Sequence, residues 1–265
     1  MKKVFFTCLL SCLFFIGKSQ EKNNPKVIAI YPKTDSIPVN ILRFYIQFSK
    51  PMQEMDILKH IKLTNEEGKN ITGVFFENQY ELWNDDRTEV TLIVDPGRVK
   101  LGLLAHNTMG RAFDTGKKYT LTVDSDLMDF DDQKLEQSFI KTFVAVDEDM
   151  LPPKTNQWKL SLPKAETSNP LSIDFNDKID HISGKTLIKF FFNNKEIEGN
   201  TELDNQEQKL IFKPSKKWKK GSYQIVVNQR LEDIAANSLN QIFDHKPSDF
   251  NRNSDENSII NFNIQ

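Results

Sequence analysis

The sequence predicts an all-β chain made of two tandem β-sandwich domains. Short segments of alternating apolar and polar residues recur along it, separated by turn residues, with almost no helical periodicity. One pattern also repeats. Leu127-Met128-Asp129, with Leu135 six residues after the Asp, returns as Leu231-Glu232-Asp233 with Leu239, again six after. Each copy follows a Tyr-led alternating strand, Tyr119–Val123 and Tyr223–Val227. With 265 residues the chain is long enough for two domains of ordinary size, each burying its own core.

The N-terminus reads as a cleavable signal peptide over residues 1–19. Lys2 and Lys3 form a basic start, Val4 to Ile16 is largely apolar, and Gly17-Lys18-Ser19 supplies small residues for cleavage after Ser19 or Gln20. The apolar run is too short for a membrane-crossing helix, and no later segment approaches that length. Both cysteines, Cys8 and Cys12, fall inside the leader, so the mature domains are expected to hold together without disulfides. An alternative reading makes Leu9-Leu10-Ser11-Cys12 a loose lipobox with a lipid anchor at Cys12. The apolar Leu13-Phe14-Phe15-Ile16 that follows the cysteine argues against it.

Three of the 35 basic residues lie in the leader, leaving 32 against 37 acidic ones and a net charge of −5 on the mature chain. That mild balance gives no footprint for nucleic acid or anionic lipid. The expected location is therefore outside the cytoplasm: periplasm, cell surface or extracellular space.

The first domain is expected over residues 20–146. Leu42, Phe44, Ile46 and Phe48 share one face of a strand, with Arg43, Tyr45 and Gln47 on the other, and Ser49-Lys50-Pro51-Met52 ends it because proline cannot donate to a ladder. Residues 55–61 suit one helical turn. Strands follow near Ile61–Leu63, Val74–Phe76, Val90–Val94, Tyr119–Val123 and Phe139–Val146. Residues 147–154, with Asp147-Glu148-Asp149 and then Pro152-Pro153, read as a stiff linker. The second domain, residues 155–265, opens at Trp158-Lys159-Leu160-Ser161-Leu162. Its Leu171-Ser172-Ile173-Asp174-Phe175 strand repeats the Leu42 alternation, and Asn176-Asp177-Lys178 stands where Ser49-Lys50-Pro51 did. Segments 187–192, 210–212, 223–227 and 260–264 complete the set. The copies differ most in their loops: residues 95–116 form a long connection in the first, while its counterpart, 213–221, is short and lysine-rich. The second copy carries instead a polar excursion over residues 243–258.

Ile28, Pro32, Val39-Asn40-Ile41, the strand end Phe48-Ser49-Lys50-Pro51-Met52 and Tyr119–Val123 ahead of Asp129 together resemble the bacterial Ig-like domain of surface-layer proteins, the SbsA-type family. The resemblance covers most of residues 25–146 and, more loosely, 155–265. Asp131-Asp132-Gln133 and Ala235-Ala236-Asn237 depart from the Gly-Asn turn of that family, and the second copy lacks the Pro-Met strand end. The resemblance implies two tandem Ig-like β-sandwiches serving as a spacer, adhesive or surface module, with no catalytic residues to carry over.

No motif for enzymatic chemistry emerges. His60, His106, His181 and His245 are never at metal-ligand spacing, and there is no nucleophile elbow or phosphate loop. The expectation is a non-enzyme with no cofactor and no metal. Asp124, Asp126, Asp129, Asp131 and Asp132 cluster as calcium ligands would, but read better as a turn, where Asp accepts backbone amides. Arg98, Lys100, His106 and Arg111 in the long loop are the candidate ligand-binding residues, suited to an anionic glycan or a partner's carboxylates. The competing reading has Leu101, Leu103 and Leu104 folding that loop back over the sandwich end. Trp83, Trp158, Trp218 and Phe190-Phe191-Phe192 invite a carbohydrate reading, although Trp158 sits in a core-like alternation. The function expected is an exported, non-catalytic structural or adhesive module of the bacterial cell envelope, its partner an envelope protein or glycan. The alternative is a carbohydrate-binding accessory to a separate enzyme.

Overall fold

The structure is a computed structural model describing residues 23–53, 56–245 and 257–265. The expected leader, with Cys12, and most of the 243–258 excursion lie outside the described residues.

The first half of the chain supplies eight strands: β1 (Val27–Tyr31), β2 (Ser36–Pro38), β3 (Arg43–Phe48), β4 (Ile61–Asn65), β5 (Leu82–Trp83), β6 (Glu89–Ile93), β7 (Lys118–Val123) and β8 (Phe139–Val146). They form two sheets, in the orders β1-β3-β6-β5 and β2-β8-β7-β4. Every pairing is antiparallel except β2 with β8. This is the strand order of an immunoglobulin sandwich, in which the strands first, second, fifth and fourth in the sequence share one sheet. The second half repeats it with β9 (Lys159–Ser161), β10 (Leu171–Asp174), β11 (Ile188–Phe192), β12 (Lys195–Glu196), β13 (Gly199–Asp204), β14 (Lys209–Pro214), β15 (Gly221–Val227) and β16 (Ser258–Ile264). Its sheets run β13-β14-β10-β9 and β12-β11-β15-β16. The fold is all-β, with one large core in each half.

The alternation in β3 works as expected: Leu42, Phe44, Ile46 and Phe48 are all buried against Leu121 and Phe143 of the facing sheet. Phe44 lies at the centre of an aromatic cluster with Phe75, Phe113 and Phe143. Each such ring contributes roughly 1.5–3 kcal/mol by leaving water. In the second core Phe190 stacks on Phe212, and Trp218 packs edge-on to Phe212 and Tyr223.

The tyrosine that leads each repeated strand has a structural task. At the start of β7 the Tyr119 hydroxyl accepts the Asp114 amide at 2.9 Å. At the start of β15 the Tyr223 hydroxyl accepts the Lys219 amide at 2.9 Å and donates to the Lys219 carbonyl at 2.8 Å. Both are tyrosine corners, pinning the crossover between sheets to the strand it enters.

Two expectations need correction. The long 95–116 connection contains helical turns, α1 (Pro96–Val99) and α2 (Leu104–Met109). Asp95 caps the first by accepting the Gly97 amide at 2.8 Å, with proline at the first helical position. And its leucines do not fold inward: Leu101, Leu103 and Leu104 are exposed. The single turn expected near residue 57 is present as a 3-10 turn, Ile57–His60.

Candidate functional site

The four loop residues expected to meet a ligand are mostly engaged within the chain. Arg98 is buried, its guanidinium donating to the carbonyls of Gly110 at 3.1 Å, Gly73 at 2.9 Å and Arg111 at 2.7 Å. It therefore clamps the loop instead of facing outward. Arg111 pairs with Glu148 at 2.5 Å. The Lys100 ammonium lies 4.4 Å from the Phe243 ring centroid, and the next amide, Leu101, donates to Asp244 at 3.1 Å. The loop thus touches the second domain. His106 is half-buried in α2.

The structure instead brings functional groups together where the two sandwiches meet, around the second of the two repeated aspartate turns. In the first, Asp129 Oδ1 accepts the amides of Asp131 and Gln133, both at 2.9 Å, and Asp132 takes a left-handed φ of 56°. In the second, Asp233 Oδ1 accepts the amides of Ala235 at 2.8 Å and Asn237 at 2.9 Å, and Ala236 has φ 64°. The flanking leucines close both turns, Leu135 N–H onto the Leu127 carbonyl and Leu239 N–H onto that of Leu231. Each turn also bridges to the end of the Phe-bearing strand, Asp129 with Met52 and Asp233 with Ile179. Two residues before those partners stand Lys50 and Asp177. The first turn accordingly faces a cation, Lys50 at 3.7 Å, and the second an acid.

Asp149 of the linker completes that second environment. Oxygens of Asp149, Asp177 and Asp233 lie within 4.8 Å of one another, the only such group of potential metal ligands among the described residues. Burial pushes the Asp233 carboxyl up to about 8, with Asp177 and Asp149 adding repulsion against the hydrogen bonds from Asn237. Burial, then Asp149, pushes Asp177 up to about 6. Three carboxylates are a donor set that a hard cation accepts. Here, however, Asp233 already accepts three hydrogen bonds, the third from Asn237 Nδ2 to Oδ2 at 2.9 Å. Burial first, and like charge after it, favour the protonated forms of Asp233 and Asp177. The Asn237 amide also donates to the Asp149 carbonyl at 3.0 Å, which Asn40 of the first domain shares at 2.7 Å.

Beside this cluster the domains are stitched by a layer of rings and ion pairs. His181, first residue of α3 (His181–Thr186), stacks on Tyr31 at a centroid distance of 3.5 Å and lies 3.2 Å from the Glu89 carboxylate. Tyr45 donates to Asp180 at 2.6 Å; burial and that carboxylate push its phenol well above its ordinary value. Arg43 donates to Glu232 at 2.5 Å. Glu207 accepts the Lys33 amide at 2.7 Å, and Lys178 donates to the Ser36 carbonyl at 2.9 Å. Ala236, in the second aspartate turn, packs into the core of the first domain. Tyr45 thus lies on the β3 face opposite the core and is buried all the same, because the second domain covers it.

The Asp124–Asp132 run is divided among separate partners: Asp124 with Lys62, Asp126 with His60, and Asp129 within its turn. The trio that does converge is spread over residues 149, 177 and 233. Its signal was the replacement of Lys50 by Asp177 at the corresponding place in the repeat.

Comparison with known proteins finds no matching family model and no matching curated protein. Among solved structures, similar chains include a fragment of alpha-2-macroglobulin from Escherichia coli spanning domains MG0-NIE-MG1, at 11% identity over 92% of this chain and 72% of that one, TM-score 0.30. Another is surface layer protein SbsC, domains 1–6, at 10% identity over 91% of this chain and 41% of that one, TM-score 0.31. A third is Rst D1-D2, at 8% identity over 91% and 99%, TM-score 0.24. Likenesses this shallow carry no argument about role, and the Ig-like fold rests on the strand order. No described helix is long and apolar enough to cross a membrane.

Proposed function

We propose that this protein is an exported, non-catalytic Ig-like module of the bacterial cell envelope, acting as a structural or adhesive unit on an envelope protein or glycan. The observation that carries the reading is the junction. Two sandwiches joined by a short linker would ordinarily move against each other. Here a stacked Tyr31–His181 pair, the buried Tyr45–Asp180 bond and Ala236 in the opposite core hold them in one arrangement. A spacer or adhesin needs that fixed geometry to present a surface at a set distance. The leader expected over residues 1–19 and the resemblance to SbsA-type domains support the envelope setting.

The accessory-module alternative loses two of its three tryptophans, since Trp158 and Trp218 are buried in the second core. The test is co-sedimentation of the purified mature chain with envelope fractions. The proposal expects it to sediment with them while leaving glycans and peptides intact. A chain that stays in the supernatant, or that turns over either material, contradicts it.

A further inference from the structure

On the first domain a cavity of about 530 Å³ opens between the 3-10 turn at Ile57–His60, the arm of residues 76–82 and strand β6. That volume falls in the range of small-molecule sites. The walls are tied together. The Ile57 amide donates to one oxygen of Glu81, and the Trp83 indole donates to the other at 2.7 Å. The arm is fastened to β6 at both ends, by the Phe76 amide on the Ile93 carbonyl at 2.8 Å and by pairing of Leu82 with Thr91. Glu81 is thus a strut that sets the width of the cleft.

The walls show two aromatic side chains to solvent. Phe76 is 47% exposed and Tyr80 68% exposed, both lining the cavity. Asn78 and Gln79 lie between them in sequence and line it too. Two exposed rings interleaved with amides match the two-sided chemistry of a pyranose, whose C–H faces stack on aromatic rings while its hydroxyls accept from amide N–H groups and donate to amide and carboxylate oxygens. An apolar peptide would leave those amides facing it unpaired, a cost that a polyhydroxylated ligand avoids. The charges narrow the class further. Asp56 and Lys59 pair with each other, leaving Glu77 and Glu81 as the remaining ionic groups of the lining. An acidic ligand would meet like charge there.

We infer that this cleft binds a neutral saccharide, with Phe76 and Tyr80 as stacking platforms. The inference rests on the binding-module reading above and names its ligand class. The test is affinity electrophoresis of the mature chain through gels containing a soluble β-1,3-glucan, xyloglucan or galactomannan, with polygalacturonate as the acidic arm. Retardation is expected in at least one neutral gel and not in the acidic one. It should weaken at least tenfold in Tyr80→Ala and in Phe76→Ala, with the melting temperature of Tyr80→Ala within about 2 °C of the parent because the ring is largely exposed. Trp83 fluorescence should change on titration with the retarding glycan, since its indole shares the strut. No retardation in any neutral gel, equal retardation by polygalacturonate, or undiminished binding by both variants overturns the assignment. Co-sedimentation with envelope fractions separates the two readings. If a variant carrying both Phe76→Ala and Tyr80→Ala still sediments, the cleft assignment alone fails; if the parent does not sediment, the module reading fails with it.

Discussion

Two turns with the same backbone stand in opposite electrostatic surroundings. Asp129 and Asp233 each gather two amides on one carboxylate oxygen, precede a left-handed residue by three positions and bridge to the end of the corresponding strand. In the first domain the other oxygen looks toward Lys50. In the second, Asp177 occupies the lysine's place and Asp149 arrives from the linker. The backbone role of the aspartate is local and survives in both copies. Its charge environment is set by neighbours brought from elsewhere, and at the junction those neighbours carry the same sign. The second turn thus carries two carboxyls raised by burial and by neighbouring carboxylates, while its twin caps its backbone beside a lysine.

The largest effects should come from removing the caps. Asp129→Ala leaves the part-buried Asp131 and Gln133 amides without their side-chain acceptor and should cost about 1–3 kcal/mol. Asp233→Ala loses three accepted hydrogen bonds but also relieves repulsion, so its cost should be clearly smaller at pH 9 than at pH 5. Urea unfolding at the two pH values measures both, and equal pH dependence would erase the distinction drawn here.

The charge exchange itself comes next. Folded-state values of about 8 for Asp233 and about 6 for Asp177 exceed their ordinary values, so folding favours the protonated forms. Their contribution is complete below about pH 4 and is lost as pH rises through 6 and then 8. Asp177→Lys, which installs the first domain's arrangement, should flatten that decline and stabilise the protein by about 1–2 kcal/mol at pH 9. The reciprocal Lys50→Asp should introduce a decline of the same sign into the first domain. Thermal melts across pH 5–9 would show it.

Smaller differences should separate the tyrosine corners. Tyr223 makes two backbone bonds through its hydroxyl and Tyr119 one, so Tyr223→Phe should cost more than Tyr119→Phe, each by about 1 kcal/mol per bond. Least of all, EDTA should leave the melting temperature unchanged at either turn. A drop that Asp177→Asn abolishes would place a cation in the triad.

Much of this architecture was legible in residue order because it rests on local rules. The β3 alternation marked its buried face, and the Tyr-led alternation marked strands β7 and β15, though not the hydroxyl bonds that make their corners. What escaped had causes outside the local pattern. Tyr45 alternates to the face opposite the core, and only docking of the second domain buries it. Arg98 looked like a free cation, but three carbonyls from distant loop segments converge on it. The helical turn at Pro96 did carry a signal in Asp95-Pro96-Gly97, a cap followed by proline at the first helical position. The carboxylate trio was visible only by laying one repeat on the other and noticing a lysine turned to aspartate. Residues 76–82 follow no period at all, so the cleft they wall had no trace in the sequence pattern.

The most direct test is a carboxyl-carbon NMR titration of the folded protein with Asp233 and Asp129 assigned. The account predicts that Asp233 titrates with a midpoint near 8, and that the midpoint falls sharply in Asp177→Lys. An Asp233 midpoint near 4, unmoved by that substitution, would contradict the account.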